Sequence, residues 1–468
     1  MRSHRQQRAG AIRSHGAAIV CLLVPWSWAC GRDLPEATLG DLRQPTGVAL
    51  SDEGRFLFVT NGNWDQSERT GGVLVLDLQS LHDALADHDE HGSCRVRGDT
   101  PVATIECGAR GLVVPRAGIT LGSAVGNLAR DRPAGVTGAL RLLTVQRAPA
   151  AVVWFDVIAG DDGPQLDCGV GFDGNCDDVH VITTAPDRGD LRLPPDPARV
   201  VVDDQGYRFA YVPQLFGERG SPKADLSLID LDGEFGPELV NVAQDVYRDD
   251  PFDGTEYSGG FGVASRPCDL ANAPDGSRDC TRPVLYGSQR FFPSLRRFAV
   301  APGLDVIVPG EESSIANVNP ESVQQQPFLA DLAFEDPSGG VDLLVVQTTP
   351  AALLRVDTTV EDGRSVDAIV GMLPLCEQPN MLAVHRHGDD EPLALVSCFA
   401  EGELAIVGLT SWRVLQQLEL EAGANEITID PARQWAFVAN TPADSISVVS
   451  LDRDAAGYLT EIARIVHG

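Results

Sequence analysis

Residues 424–440 read ANEITIDPARQWAFVAN, and after a polar turn residues 446–451 read ISVVSL. Apolar and polar side chains alternate with a period of two, and the Asp-Pro and Thr-Pro-Ala-Asp sequences are typical of tight turns. The pattern predicts three short strands. Near the other end of the chain, residues 44–61 (QPTGVALSDEGRFLFVTN) and residues 73–78 (VLVLDL) repeat the same form. We therefore expect a chain built from copies of one three-strand unit.

The third strand of this unit recurs along the whole chain. Equivalent positions lie 79 residues apart in the first two copies (77 to 156) and 42 apart in the last two (408 to 450). We take the shorter spacing as the bare unit and the excess as inserted loops. The seven copies are residues 73–78, 152–157, 226–231, 295–300, 353–358, 404–409 and 446–451.

Two strands are expected before each of these copies, and a fourth, outer strand after several of them. Residues 103–106 and 462–466 are examples of the outer strand. Seven units of four antiparallel strands predict an all-β fold, a seven-bladed β-propeller. Because a single blade leaves two faces uncovered, the ring must close to bury them. The first strands are expected to begin near Pro45, Arg116, Arg199, Arg266, Pro327, Pro379 and Asn425.

The unit resembles the YVTN-type β-propeller repeat of bacterial surface and secreted proteins. The shared pattern is Pro-x-Gly-x-Ala, then Asp-x-Gly, then a Val-Thr-Asn strand end, then Val-x-Val-Leu-Asp. Residues 58–61 (FVTN) carry the namesake motif, and residues 437–440 (FVAN) are similar to it. Proteins with this repeat include lipoproteins, surface-layer proteins and enzymes related to lactonases. The resemblance implies a seven-bladed propeller and specifies the fold much better than the activity.

The first residues of the chain are expected to form a targeting segment. Four arginines lie within residues 2–13, and the apolar run at 17–24 is too short to span a bilayer. Residues 27–31 (SWACG) resemble a bacterial lipobox, in which Cys30 becomes the lipidated first residue. The predicted division is a signal peptide at 1–29, a tether at 30–43 and the propeller at 44–468. Plain secretion and an uncleaved anchor are the alternatives.

Charge and targeting together limit the expected partners. The formal net charge is -31, which argues against nucleic acid or an anionic membrane surface as a partner. Membrane contact is therefore expected only through the N-terminal lipid. We expect an exported protein, either an outer-membrane or cell-surface lipoprotein or, alternatively, a periplasmic or secreted one.

The cysteines support export. There are ten, and apart from Cys21 and Cys30 they fall as four neighbouring pairs. An even number in an exported chain predicts disulfides, and local pairing closes the shortest loops at the smallest entropic cost. In a propeller, the start of a blade's first strand lies beside the end of its second, which places the last pair within bridging distance. The expected disulfides are Cys94–Cys107, Cys168–Cys176, Cys268–Cys280 and Cys376–Cys398.

Loops between second and third strands carry aromatic and basic side chains. In propellers, ligands usually sit on the face built from these loops or in the central channel. Clustered exposed aromatic rings mark binding surfaces. The alternative is that the rings pin long loops to the blades. The candidate ligand-binding residues are Trp64, Phe216, Arg290, Phe291 and Phe292.

The residues that open the first strands should line the mouth of the channel. Asn380, Asn425 and Glu426 lie there. Resemblance to lactonase-type propellers implies a divalent cation held in the channel by Glu, Asn and Asp, and a set of oxygen ligands suits Ca²⁺. No aspartate in register completes the set. Asn and Glu are also common turn residues, so an ordinary turn is the alternative.

Three further segments have ligand-like composition. The acidic loops at 161–178 and 249–256 lack the EF-hand spacing and are expected to be solvated rather than calcium sites. Residues 82–91 have the residue types of a zinc or nickel site. Ser80 and Asp83 resemble a capping box for a short helix there, and we expect this segment to be an exposed linker.

No catalytic motif stands out. The chain has no Gly-x-Ser-x-Gly elbow, no His-Glu-x-x-His and no Gly-rich phosphate loop. The expected function is binding, by a cell-envelope scaffold that presents its loop face to a protein, a peptide or a glycan. The competing class is a cation-dependent lactonase-like hydrolase or lyase that uses the central channel. A structural spacer is the third.

Overall fold

The structure is a computed structural model. None of its helical segments is long and apolar enough to cross a membrane, in the part of the chain it describes. The predicted signal peptide and Cys30 lie outside that part. The described residues are 34–37, 39–97, 104–160, 163–169, 175–186, 189–215, 225–247, 259–267, 283–290, 294–301, 303–314, 328–361 and 364–468.

These residues form the strands β1 to β33 and the helix α1 (Gln79–Asp87). The strands of the first half are β1 (Pro45–Leu50), β2 (Phe56–Asn61), β3 (Gly71–Asp77), β4 (Cys94–Arg97), β5 (Thr104–Gly108), β6 (Ile119–Leu121), β7 (Ser123–Asp131), β8 (Leu140–Ala148), β9 (Ala150–Gly160), β10 (Gly163–Asp167), β11 (Val181–Ile182), β12 (Val201–Val202), β13 (Phe209–Pro213), β14 (Leu226–Asp230), β15 (Glu238–Ala243) and β16 (Gly260–Ser265). Those of the second half are β17 (Val284–Gln289), β18 (Ser294–Ala301), β19 (Val306–Ser314), β20 (Phe328–Phe334), β21 (Asp342–Thr349), β22 (Ala352–Asp357), β23 (Val360–Glu361), β24 (Arg364–Ser365), β25 (Ala368–Pro374), β26 (Pro379–His385), β27 (Leu393–Cys398), β28 (Glu403–Gly408), β29 (Arg413–Glu419), β30 (Ala424–Asp430), β31 (Trp435–Asn440), β32 (Ser445–Ser450) and β33 (Glu461–Val466).

The strands form seven antiparallel blades of four strands, which confirms the predicted seven-bladed β-propeller. Numbered in chain order and from the first strand outwards, blade I is β1-β2-β3-β6, blade II β7-β8-β9-β10, blade III β12-β13-β14-β15, blade IV β16-β17-β18-β19, blade V β20-β21-β22-β25, blade VI β26-β27-β28-β29 and blade VII β30-β31-β32-β33. All seven predicted third strands are confirmed, as β3, β9, β14, β18, β22, β28 and β32.

Apolar layers between neighbouring blades form the core. Because successive side chains of a strand point to opposite faces, Leu57 packs towards blade VII, with Phe437, and the next residue, Phe58, packs towards blade II, with Phe155. Both faces of the inner strands are therefore buried, and β1 and β2 have no exposed residue. The layer between blades VII and I closes the ring.

Two predicted first strands were misplaced. β7 begins at Ser123 rather than near Arg116, and β16 ends at Ser265, so Arg266 follows the strand. Glycines weaken the strand signal of β16, but the packing requires one of them. A Cβ atom on Gly262 would lie 2.8 Å from the backbone oxygen of Ala330 in blade V.

The predicted outer strand at 103–106 forms as β5, but it joins blade VII instead of blade I. It pairs in parallel with β33, from Ile105 opposite Ala463 to Gly108 opposite Val466, and β4 pairs with its other edge. Blade I takes its outer strand from β6. We call the β4–β5 hairpin the clasp. An edge strand can pair with any free sheet edge, so the alternation of side chains could not select the blade.

Helix α1 replaces the expected exposed linker. Leu78 is its N-cap, no side chain caps it, and Ser80 lies in its first turn, so the predicted capping box does not form. Leu81 is buried in the layer between blades VII and I, and the His82 ring lies 5.5 Å from the ring of Trp435. Burial lowers the pKa of His82 to about 4. The apolar face of the helix, not its histidines, decides its packing.

Three of the four predicted disulfides are confirmed. The Cα atoms lie 3.9 Å apart in Cys94–Cys107, 4.9 Å apart in Cys168–Cys176 and 5.9 Å apart in Cys376–Cys398. Their presence indicates an oxidising extracellular or periplasmic compartment. The fourth pair, Cys268 and Cys280, lies outside the described residues, as do the whole acidic loop at 249–256 and residues 161–162 and 170–174 of the other acidic loop.

Candidate functional site

The starts of first strands and the ends of second strands meet on one face of the ring, because neighbouring strands within a blade are antiparallel. Residues of six blades enclose a cavity of about 380 Å³ there, at the entrance to the central channel. We call it the mouth pocket. Its walls combine aromatic rings, three arginines and several side-chain amides. A cavity of this size and composition is typical of small-ligand sites.

The mouth pocket brings together candidates that the sequence had suggested for two different sites. The loop-face residues Trp64 and Arg290 and the channel-mouth residues Asn380, Asn425 and Glu426 all line it. The other three loop candidates, Phe216, Phe291 and Phe292, lie outside the described residues.

The pocket is also lined by Arg147 and Phe261, which sequence reasoning missed, and by Arg199, which it had named only as the start of a first strand. A signal for the first of them exists in the repeat. The dipeptide Gln-Arg occurs at the end of the second strand in blade II (146–147) and again in blade IV (289–290). This repetition would have placed Arg147 and Arg290 on the same face.

The two asparagines belong to a hydrogen-bonded chain along the pocket wall. Arg290 Nη1 donates to Asn380 Oδ1 at 3.1 Å, and Asn380 Nδ2 donates to Asn425 Oδ1 at 2.9 Å. Asn425 Nδ2 in turn donates to Thr441 Oγ1 at 3.3 Å. Each amide oxygen therefore already accepts an N–H group. The chain holds the Arg290 side chain against the entrance of the channel.

A buried ion triad lies beneath these amides. Arg199 Nη1 is 2.7 Å from Asp331 Oδ1, and Arg199 Nη2 is 3.3 Å from Glu426 Oε1. The residues come from the first strands, or the entry to the first strand, of blades III, V and VII. Asp331 is the aspartate that the sequence seemed to lack. Register shifts in β20 and β30, just before Leu332 and Ile427, hid its equivalence to Glu426.

These residues do not fit the cation that the lactonase resemblance implies. Ca²⁺ takes six to eight oxygen ligands. Here both carboxylates bind a guanidinium, and both asparagine oxygens accept N–H donors. A cation beside Glu426 would also meet the positive charge of Arg199. Across the described part of the chain, no cluster of three His, Cys, Asp or Glu side chains could hold a metal ion.

One guanidinium cannot neutralise two buried carboxylates. Burial raises the pKa of Glu426 to about 7; the charge of Arg199 offsets part of this rise, and the negative charge of Asp331 adds to it. Its Oε2 atom is buried and has no hydrogen-bond partner in the described structure. The triad is therefore expected to hold a proton at mildly acidic pH.

This proton gives a pH-dependent prediction. The folded state keeps it up to about pH 7, whereas an unperturbed glutamate releases it near 4.5, so stability is lost as the pH rises through this range. We expect Glu426→Gln to remove that loss. Relative to the wild type, the variant should gain roughly 2–3 kcal/mol of unfolding free energy between pH 5 and pH 8. Urea denaturation at several pH values measures the difference.

The matched control is Glu53→Gln, which removes a carboxylate from the surface. Its effect on unfolding should be the same at pH 5 and pH 8. If Glu426→Gln keeps the pH dependence of the wild type, the triad does not hold a proton.

Comparisons with known proteins support the fold alone. No protein-family model and no curated protein matches the chain, so the YVTN resemblance rests on the residues quoted above. Among solved structures, hydrazine synthase from Kuenenia stuttgartiensis is similar at 14% identity and a TM-score of 0.51, covering 89% of this chain and 97% of that one. At such identity the likeness extends to the fold and not to the activity.

Two other similar structures have lower TM-scores. The periplasmic gluconolactonase PpgL of Pseudomonas aeruginosa is 14% identical, with a TM-score of 0.48, and covers 78% of this chain and 92% of that one. Apo AztD from Citrobacter koseri is 13% identical, with a TM-score of 0.42, and covers 90% and 86%. The order of its strands, rather than these comparisons, makes the chain a seven-bladed β-propeller in fold.

Proposed function

We propose that this protein is an exported binding module that holds its ligand in the mouth pocket. The observation that carries the proposal is the convergence of aromatic, cationic and amide side chains from six blades on one cavity of about 380 Å³. Sites for small ligands combine apolar walls with a few directed polar groups, as this cavity does. The ligand is a small molecule, or the end of a peptide or glycan that fits the same space.

The rim offers aromatic surface to such a ligand. Trp64 is 41% exposed and Phe399 is 39% exposed, although most large apolar side chains of the described residues are buried. The Arg147 guanidinium lies 4.6 Å from the centre of the Trp64 ring. Trp64 and Phe399 lie one to three residues after the ends of second strands, so the β-sheets of the propeller hold them in place. Little conformational entropy of these side chains would therefore be lost when a ligand binds.

The cell envelope is the proposed location. Disulfides need an oxidising compartment, and an N-terminal lipid on Cys30 would hold the propeller at a membrane surface. The partner would then be a molecule of the envelope or its surroundings.

The cation-dependent hydrolase is the weaker proposal. Its channel cation would need the oxygens that Arg199 and the amide chain already occupy. No other described cluster supplies a replacement. The mouth pocket therefore favours binding over metal-assisted lactone hydrolysis.

The test is a ligand screen on residues 31–468, produced in an oxidising compartment. Small acids, sugars and short peptides are screened by thermal shift, and hits are measured by calorimetry. We expect Trp64→Ala to weaken binding of a true ligand by 10-fold or more, because a central aromatic contact is worth over 1 kcal/mol. The melting temperature should change little.

The control is Phe235→Ala, since Phe235 is a 69% exposed aromatic side chain in the loop between β14 and β15, at the other end of its blade. It should leave binding unchanged. Ligands that bind Trp64→Ala as tightly as the wild type would contradict the proposal that the mouth pocket is the binding site.

A further inference from the structure

Arg290 is a cation without an anionic partner among the residues that the structure describes. Its Nη1 atom donates to the neutral amide of Asn380, and its guanidinium lies 4.4 Å from the centre of the Phe261 ring. No carboxylate lies within ion-pair distance of it in the described structure. The other two arginines of the mouth pocket differ, since Arg147 pairs with Asp196 at 3.2 Å and Arg199 belongs to the triad.

A shortage of carboxylates in the chain does not explain why no described carboxylate pairs with Arg290. The sequence has 67 acidic residues and 36 basic ones, so carboxylates are plentiful. A partly buried cation without a counter-ion is costly, because burial removes water that would solvate the charge. Burial, with the nearby charge of Arg147, lowers the pKa of Arg290 to about 10. The surroundings of Arg290 therefore favour the arrival of a negative charge.

We infer that the mouth pocket binds a compact organic acid, whose carboxylate pairs with Arg290 and whose carbon body lies against the exposed ring of Trp64. The inference deepens the proposed function, on which it rests, by naming the ligand class. A planar guanidinium suits a planar carboxylate, which it can bind through two parallel hydrogen bonds.

The charges favour a carboxylate over a phosphate. One unpaired guanidinium matches one negative charge. A phosphate dianion would bring a second charge towards the carboxylate of Glu426, which lines the same cavity. The volume of about 380 Å³ suits a compact acid, and the exposed Trp64 and Phe399 suit one with an apolar or sugar-like body.

The experiment uses pairs of probes that differ only in charge. Benzoate and benzamide form one pair, and gluconate and its amide form another; phenyl phosphate tests for the dianion. Binding to residues 31–468 is measured by calorimetry at low and high salt. We expect an acid to bind at least 10-fold more tightly than its amide, and its affinity to fall as salt rises.

One substitution and its control test whether the carboxylate of the ligand binds at Arg290. Arg290→Gln should weaken binding of the acid by 10-fold or more and leave binding of the amide unchanged. It should not lower the melting temperature in the absence of ligand, because it removes an unpaired charge. The control is Arg386→Gln, an exposed arginine at the opposite end of the first strand of blade VI. It should bind the acid as the wild type does.

The outcomes separate this inference from the proposed function. If amides bind as well as acids, or if Arg290→Gln keeps the full affinity, the organic-acid inference is wrong. Preference for phenyl phosphate would also overturn it. Absence of binding by every probe at 10 mM would do the same. In each case the proposed function still stands if Trp64→Ala weakens the binding of a ligand found in the wider screen. It fails if Trp64→Ala binds every such ligand as tightly as the wild type does.

Discussion

Replacing Arg199 with methionine is expected to lower the free energy of unfolding by about 3–5 kcal/mol at pH 8. The substitution keeps much of the volume of the side chain but leaves Asp331 and Glu426 without their shared cation. Both carboxylates are largely buried, with side-chain exposures of 8% and 11%. Two like charges in a site that excludes water repel one another and lose their solvation.

The loss should depend on pH with a definite sign. In the variant, the uncompensated carboxylates bind protons more readily than in the unfolded chain, so stability is retained at low pH and lost as the pH rises. Urea denaturation should therefore show a smaller effect of Arg199→Met at pH 5 than at pH 8.

A combined variant separates charge from packing. Asp331→Asn and Glu426→Gln, added to Arg199→Met, remove the buried charges and should recover most of the stability at pH 8. If the combined variant is as unstable as Arg199→Met alone, lost packing rather than uncompensated charge is the cause. A loss below 1 kcal/mol in Arg199→Met would show that the triad does not tie the three blades together.

The second large effect is expected at the clasp. Replacing Cys94 and Cys107 together with alanine should lower the free energy of unfolding by about 3 kcal/mol. The reason is that this disulfide joins residues 13 positions apart and so restricts the unfolded chain. Both cysteines are fully buried in the layer between blades VII and I. The loss should exceed the entropic value if the clasp also holds the ring closed.

The seam between blades VII and I explains why the clasp should matter. Neither blade borrows one of its four strands from the other, so the seam relies on its side-chain layer and on a few added contacts. The clasp strand β5 pairs with β33. Nearby, Asp41 accepts the backbone N–H of Gly468 at 3.0 Å and pairs with Arg110 at 2.8 Å.

Hydrogen exchange distinguishes a clasp from an ordinary surface hairpin. In the double alanine variant, the amides of β33 should exchange faster than in the wild type. The matched control is Cys168→Ala with Cys176→Ala, which opens a disulfide loop next to blade II. This control should lower the free energy of unfolding by less and leave the amides of β33 protected from exchange. Equal losses in both variants, with β33 unchanged, would show that the clasp does not close the ring.

Much of the fold could be predicted because its repeat is local. Seven short, mainly apolar runs at recurring positions were enough to place all seven third strands, and three neighbouring cysteine pairs formed as expected in the described part of the chain. The two first strands that were misplaced belong to blades II and IV. There, long insertions and glycines required by close packing weaken the alternation.

The candidate site was predictable only in parts. The positions of Trp64, Arg290, Asn380, Asn425 and Glu426 follow from the repeat, but they had been assigned to two separate sites. The Ca²⁺ prediction depended on residue types alone. Only in three dimensions does Arg199, a residue far away in the chain, lie where that cation was expected.

The sequence by itself determined that this protein is a ring of seven four-stranded blades with local disulfides. That information is carried by a period of two and by turn residues, which act over a few positions of the chain. The tertiary structure alone decided which sheet edge the clasp joins, which carboxylates share Arg199 and that no described carboxylate pairs with Arg290. These are contacts between blades, and charge pairing depends on distance in space rather than on separation along the chain.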